Sequence, residues 1–227
     1  FEGGWGLPLG HIQTAVCIVM GALNVALARL ALGRAVSRRA ANWGAVLFGF
    51  GSIAWYHATI GSVWYFAQIA HATFMWLCVL EWLGKQRPFL MGLALAAAFW
   101  CRMETILVVP FVLVACPEKW LRPRADEILP RPRWGWLVAY GTPLAGVLLL
   151  NAGYNWVRFG TIENWGYRML IEKPEVAPMY PYGLLSIHYW RGHFDVFFRA
   201  WPIFLDEIPW VAPSVGGTAS WATTPAF

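Results

Sequence analysis

Charge is scarce in this 227-residue sequence: 13% of the residues are Asp, Glu, Lys or Arg, against roughly 25% in an average soluble domain. Lysine is nearly missing, with 3 residues beside 14 arginines. A chain so poor in charge and so rich in apolar residues is not disordered, and no Gly-X-Y repeat or sustained heptad makes it a collagen or a coiled coil. The four cysteines, Cys17, Cys78, Cys101 and Cys116, all lie inside apolar runs without a CxxC spacing. They read as free thiols packed among helices, so neither a disulfide scaffold nor a zinc or redox site follows. No Walker loop, GxSxG, HExxH or Rossmann glycine pattern occurs, which removes a cytosolic nucleotide-binding domain.

What is present is apolar. Hydrophobic residues make up 59% of the chain, with 16 Trp, 8 Tyr and 14 Phe. The net charge of +5 is not a nucleic-acid footprint. The basic residues sit in short gaps between apolar runs, the membrane pattern, and not on a polar stripe. The bilayer is therefore the solvent to consider first.

Leu9 to Leu32 is long enough to cross the ~30 Å hydrocarbon core as a helix, and Arg34, Arg38 and Arg39 follow it. Trp43 to Leu80 contains no Asp, Glu, Lys or Arg; at 1.5 Å per residue it would run about 57 Å, which fits two crossings. Their turn falls best at Thr59-Ile60-Gly61-Ser62, where Gly and Ser cluster. Lys85 and Arg87 close the second crossing. Pro88 to Cys116 is interrupted midway by Arg102 and Glu104. Pro117 to Arg133 is a polar, basic loop, and Trp134 to Val157 is again uncharged.

The positive-inside rule places the basic gaps 33–42, 84–88 and 117–133 in the cytoplasm and the 59–62 turn outside. Residues 88–116 must then leave and re-enter the same side. That predicts a hairpin of two arms, each about 18–21 Å, with Arg102-Met103-Glu104 at a tip that lines a cavity. The expected fold is an all-α polytopic bundle of about six membrane helices over residues 1–159. An extracytoplasmic region, 160–227, follows, with an interfacial helix within Gly183–Trp201. The ends read as cuts: residue 1 is Phe, and the uncharged Trp221–Phe227 is expected to begin a further span of a longer protein.

Arg102 and Glu104 are the strongest local signal, because an ionisable group at membrane depth is a functional candidate by default. The competing account is an ion pair holding the hairpin tip, although i, i+2 spacing sets the two on different helix faces. Asn155 to Arg168 leaves the last span carrying Arg158, Arg168, Glu163 and Asn164 among the aromatic residues Trp156, Phe159, Trp165 and Tyr167. Arg forks suit phosphate oxygens, and aromatic faces suit sugars or prenyl chains. An aromatic belt with snorkelling arginines accounts for the same residues. His11 and His57, the latter after Tyr56, fall on the expected outer side. His71 lies mid-span and reads as packed and neutral. His188 and His193 are poorly spaced as metal ligands.

Four stretches together resemble the polyprenyl-phosphate-sugar-dependent membrane glycosyltransferases of the GT-C superfamily, in the bacterial protein O-mannosyltransferase and aminoarabinose-transferase branch. Gly6-Leu7-Pro8-Leu9-Gly10-His11 is similar to the segment opening that family's second span. Trp55-Tyr56-His57 to Glu81 looks like its uncharged helical pair. Gly92-Leu93-Ala94-Leu95-Ala96 to Arg102 resembles its GLxLGLAxLTK helix, with Arg102 at the basic position. Arg158-Phe159-Gly160 to Gly166-Tyr167 resembles its RFGxxxxxGY run.

The resemblance implies a bacterial inner-membrane enzyme with an outward cavity. It would move a sugar with inversion from a polyprenyl-phosphate donor to a lipid, glycan or protein acceptor. Arg102, Arg158 and Arg168 would bind the donor phosphate. His11, Tyr56, His57, Glu104, Glu163, Asn164 and Tyr167 would line the cavity. The family's catalytic acid would fall before Phe1; Glu2 has no motif around it. No covalent cofactor is expected, and no residue pattern indicates a divalent cation, although one could take part. A lipid-linked oligosaccharide ligase, polymerase or flippase shares the outward arginines and is the rival reading.

Overall fold

In the computed structural model the apolar runs are helices and the architecture is all-α. The structure describes residues 9–122, 131–162, 174, 177–179, 181–182, 186–207 and 211–212. The chain divides into two compact units, Phe1–Phe50 with Ala54–Asn151, and Gly51–Ile53 with Ala152–Phe227. In order along the chain come α1 (Leu9–Leu32), α2 (Arg38–Phe50), α3 (Ala54–Thr59), α4 (Val63–Trp82), α5 (Pro88–Cys101), α6 (Val108–Ala115), α7 (Pro117–Trp120), α8 (Trp134–Phe159) and α9 (Trp190–Arg199). Three 3₁₀ turns, Met103–Leu107, Ala177–Met179 and Ile187–Tyr189, and two antiparallel two-residue pairings complete the described elements. β1 (Leu121–Arg122) meets β2 (Arg131–Pro132), and β3 (Ile203–Phe204) meets β4 (Val211–Ala212).

Among the described residues three helices, His11–Leu32, Val63–Trp82 and Trp134–Phe159, are long and apolar enough to cross a membrane. Their composition explains the helical state, since an apolar run in lipid must satisfy its backbone polar groups internally. Large side chains such as Phe50, Leu107, Val114, Leu149 and Val157 are mostly exposed, a surface suited to lipid tails and not to water.

In the first unit, close packing uses small residues, as between membrane helices. A Cβ on Gly21 would stand 2.6 Å from the Ala58 Cβ, and one on Gly49 would stand 2.7 Å from Val25. Asn24, 1% exposed, donates from Nδ2 to the Ile69 carbonyl at 3.0 Å and ties α1 to α4. Met91, Leu95 and Phe99 of α5 form one buried cluster with Cys78 of α4, Val112 and Cys116 of the α6 arm, and Tyr140, Leu144 and Val147 of α8. Gly92 is required there, because a Cβ would run into the Tyr140 carbonyl.

The 88–116 run is broken, as its two charges predict. α5 stops at Cys101, a 3₁₀ turn covers Met103–Leu107, and α6 follows. The chain reverses at this point. Thr105 hydrogen-bonds His71 midway along α4, whereas the Phe111 ring lies 6.5 Å from Trp82 at the end of α4. The arms are unequal: α5 has 14 residues and α6 has 8, about 21 Å and 12 Å.

Two details differ from the sequence reading. The first crossing expected within 43–80 is not continuous: α2 ends at Phe50 and α3 starts at Ala54. Gly49, Gly51 and Ser52 concentrate there, and glycine inside a helix costs up to about 1 kcal/mol relative to Ala. The helix expected within 183–201 is shorter as well. Its 3₁₀ entry, Ile187–Tyr189, has the Ser186 side chain accepting the His188 N–H, and α9 itself begins at Trp190. It ends before Pro202, which disfavours helical backbone at Trp201.

Candidate functional site

The site is built on the break at Arg102. Its N–H still closes α5 onto the Ala98 carbonyl at 2.9 Å, but its own backbone is extended (φ −150°, ψ 118°). The Arg102 carbonyl, released from helical pairing, receives the Thr105 N–H at 3.2 Å and the Thr105 hydroxyl at 2.8 Å. Thr105 is 1% exposed, and its Oγ1 lies 3.0 Å from His71 Nε2. A carbonyl can only accept, and a hydroxyl has one proton. That proton goes to Arg102, so the histidine donates to Thr105. The His71 proton therefore sits on Nε2, and in the neutral ring Nδ1 is an acceptor.

His71 is the ninth of the 20 residues of α4, so this network lies at the middle of a helix long enough to span. α3 adds an aromatic wall. The His57 ring is 5.3 Å from Tyr65, and Tyr56 meets Tyr65 edge-on at 5.4 Å. The Arg102 guanidinium is within electrostatic reach of both the His57 and His71 rings. Its acidic neighbour is loosely placed: Nη2 of Arg102 stands 3.7 Å from Oε1 of Glu104, with the side chains 22% and 70% exposed. That separation is longer than a hydrogen bond.

Of the residues singled out by sequence, Tyr56, His57, Arg102 and Glu104 thus gather around one helix break. Sequence reasoning missed Tyr65 and Thr105, and took His71 for a packed bystander. The available signal for His71 was its titratable ring in the middle of an uncharged span. His11 lies exposed in the first turns of α1, ten residues before Gly21, the position against which Ala58 packs; that is about 15 Å along the helix.

Arg158 belongs to the second unit. Its Nη1 donates to the Tyr154 hydroxyl at 2.6 Å, and its guanidinium lies 5.1 Å from the Phe159 ring centre. Gly160 explains part of the RFG run: it ends α8 at φ +71°, with its N–H on the Trp156 carbonyl at 2.9 Å, a left-handed stop suited to glycine. Arg168, Glu163, Asn164 and Tyr167 lie outside the described residues, as does Glu2. Among the described residues no group of three His, Cys, Asp or Glu side chains converges as a metal site.

No protein-family profile, curated protein or solved structure matches this chain.

Proposed function

We propose that the chain is part of an integral-membrane glycosyltransferase of the GT-C kind, multi-pass in a bacterial inner membrane. It moves a sugar from a polyprenyl-phosphate donor to an extracytoplasmic acceptor. The observation that carries this reading is the Arg102 guanidinium. It belongs to a helix break whose Thr105 meets His71 near the middle of α4, within electrostatic reach of His57 and His71, with a carboxylate only loosely held at 3.7 Å. A cation at that depth costs about 2.5–3.5 kcal/mol on insertion scales, and an anion that arrives through the membrane would offset that cost. A lipid-linked phosphate is such an anion.

On this reading α1, the α2–α3 segment, α4, the two hairpin arms and α8 make up the six membrane helices, with the basic loops in the cytoplasm. An acceptor oxygen attacks the anomeric carbon of the donor. The bond to the phosphate oxygen breaks with its electron pair on the phosphate, and the acceptor proton passes to a carboxylate. Arg102 stabilises the departing phosphate, with Arg158 and Arg168 as further cations.

The test is donor turnover by the full-length protein in detergent or liposomes. A hydrogen-bonded charge contributes about 1.5–3 kcal/mol, so Arg102→Ala should lower turnover about 10- to 150-fold while the melting temperature holds. Arg102→Lys should recover part of the loss. Unchanged turnover in Arg102→Ala overturns the assignment. Movement of the lipid-linked sugar across the bilayer without release of polyprenyl phosphate would favour the flippase.

A further inference from the structure

The other end of α4 carries a second feature that the transferase chemistry does not use. A groove of about 390 Å³ runs between α4 and α5. Its length is apolar, lined by Phe74, Leu77, Leu90 and Leu93 among others, and its polar residues are Arg34, Glu81 and Arg87. The polar residues belong to the end of α4, the start of α5 and the α1–α2 turn, so they gather at one mouth. Leu90 and Leu93 follow that mouth along α5, and Leu77 and Phe74 lead away from it along α4. Polarity is thus graded along the groove, charged at the mouth and hydrocarbon beyond.

The mouth is pre-organised. Arg87 grips Glu81 with Nε at 2.9 Å and Nη2 at 2.8 Å, and its backbone N–H reaches the same carboxylate at 2.9 Å. That fork pairs the two charges, while the Arg87 side chain stays 55% exposed. Arg34 is different. Its Nη1 donates to the Leu80 carbonyl, one of the last carbonyls of α4, where a cation suits the helix dipole. A Cβ at Gly84 would meet the same guanidinium, which therefore lies against this turn. One of its five N–H groups is used in this way, and among the described residues no carboxylate lies within ion-pair distance of Arg34, although Glu81 at the same mouth is within its electrostatic reach. Beside it, α5 starts with Arg87 as N-cap, Pro88 in its first turn and no side-chain cap. Lys85 lies in the same turn, and Arg38 and Arg39 open α2.

We propose that this groove is a binding site for an anionic phospholipid, with the headgroup phosphate on Arg34 and the open start of α5, and an acyl chain along Leu77, Leu90 and Leu93. Charge complementarity selects the occupant. Counting Arg34, Lys85 and Arg87 against Glu81, the mouth has a net charge of about +2 (3 − 1). It attracts a headgroup with net negative charge, whereas a zwitterionic headgroup brings a cation of its own. The proposal rests on α4 crossing a membrane and not on the transferase reading.

The experiment uses the full-length protein, stripped of lipid in detergent and offered phosphatidylglycerol or phosphatidylcholine with the same acyl chains. Retained lipid is counted by native mass spectrometry. One basic residue near a membrane surface is worth about a fivefold preference, so a mouth of net charge about +2 should retain phosphatidylglycerol about 25-fold over phosphatidylcholine, and Arg34→Gln should cut that preference about fivefold. Leu93→Trp, which fills the groove while leaving the mouth intact, should reduce retention of both lipids. Equal retention of the two lipids by the wild-type chain overturns the proposal without any variant having to fold, and so does an undiminished preference in Arg34→Gln. Inorganic phosphate is the second probe. If it displaces phosphatidylglycerol at millimolar concentration, the site is one for free phosphate and the lipid assignment fails. An alkaline wash of membranes separates the underlying reading: release of the protein would sink the membrane placement itself, whereas a retained protein without lipid preference sinks only this site.

Discussion

Arg102 and Arg158 both close long apolar runs, and their local settings are opposite. Arg158 continues the helical backbone of α8, so the previous turn supplies a partner. Tyr154, four residues back, accepts at 2.6 Å, and the guanidinium rests 5.7 Å from that ring and 5.1 Å from Phe159. Arg102 stands where the helix stops, with extended backbone and a carboxylate at 3.7 Å. A cation on a continuing helix can be satisfied by its own sequence neighbours. A cation at a break depends on what other helices or a ligand bring to it. On the proposed transferase reading the largest effect expected from this contrast is on donor turnover: Arg102→Ala should lose about 10- to 150-fold and the exposed Arg158→Ala only a few-fold. Equal losses would erase the distinction.

The support under Arg102 gives the next effect. Thr105→Val keeps the shape of the side chain but leaves the His71 Nε2–H without its acceptor. Hydrogen bonds between membrane helices average about 0.6 kcal/mol and reach about 1.7, so a melting temperature lower by a few degrees is expected, with Thr105→Ser near wild type. No change in Thr105→Val would mean that the His71 contact does not hold the hairpin tip.

The break itself was legible in the sequence, because two charges interrupt an apolar run near its middle. The ends of α1 and the start of α4 after the Gly61-Ser62 turn were legible for the same kind of reason: charge or turn residues mark them. The gap at Gly51–Ile53 carried a glycine signal too, but an uncharged run offers two turns of similar strength, and hydropathy does not choose between them. What no local pattern could supply was partnership. His71 and Thr105 are 34 residues apart, and their meeting depends on how far the α5 arm reaches before it turns. The Arg34 contact with Leu80 spans 46 residues and depends in the same way on how the α1–α2 turn seats against the end of α4.

The Arg102–Glu104 pair allows a sharper test of the same contrast. With Glu104 mostly exposed, the pair is worth at most about 1 kcal/mol, so Glu104→Gln should leave the melting temperature within a degree or two. If Arg102 serves a phosphate, removing its anionic competitor should lower KM for the donor, the opposite sign to Arg102→Ala. A destabilisation as large as that of Thr105→Val would instead make the pair a structural clasp.

The smallest effect belongs to Tyr154. Tyr154→Phe removes the oxygen at 2.6 Å from Arg158 but keeps the ring against which the guanidinium lies. Arg158 is exposed, so water replaces the lost acceptor, and a surface change of this kind stays within about 0.5 kcal/mol. Melting should be unchanged and donor turnover within about twofold of wild type. The informative comparison is with Arg158→Ala. If removing one phenolic oxygen costs as much turnover as removing the whole cation, then the tyrosine holds Arg158 in its working position. The contrast with Arg102 would then be one between a cation positioned by its own helix and a cation positioned by a break in one.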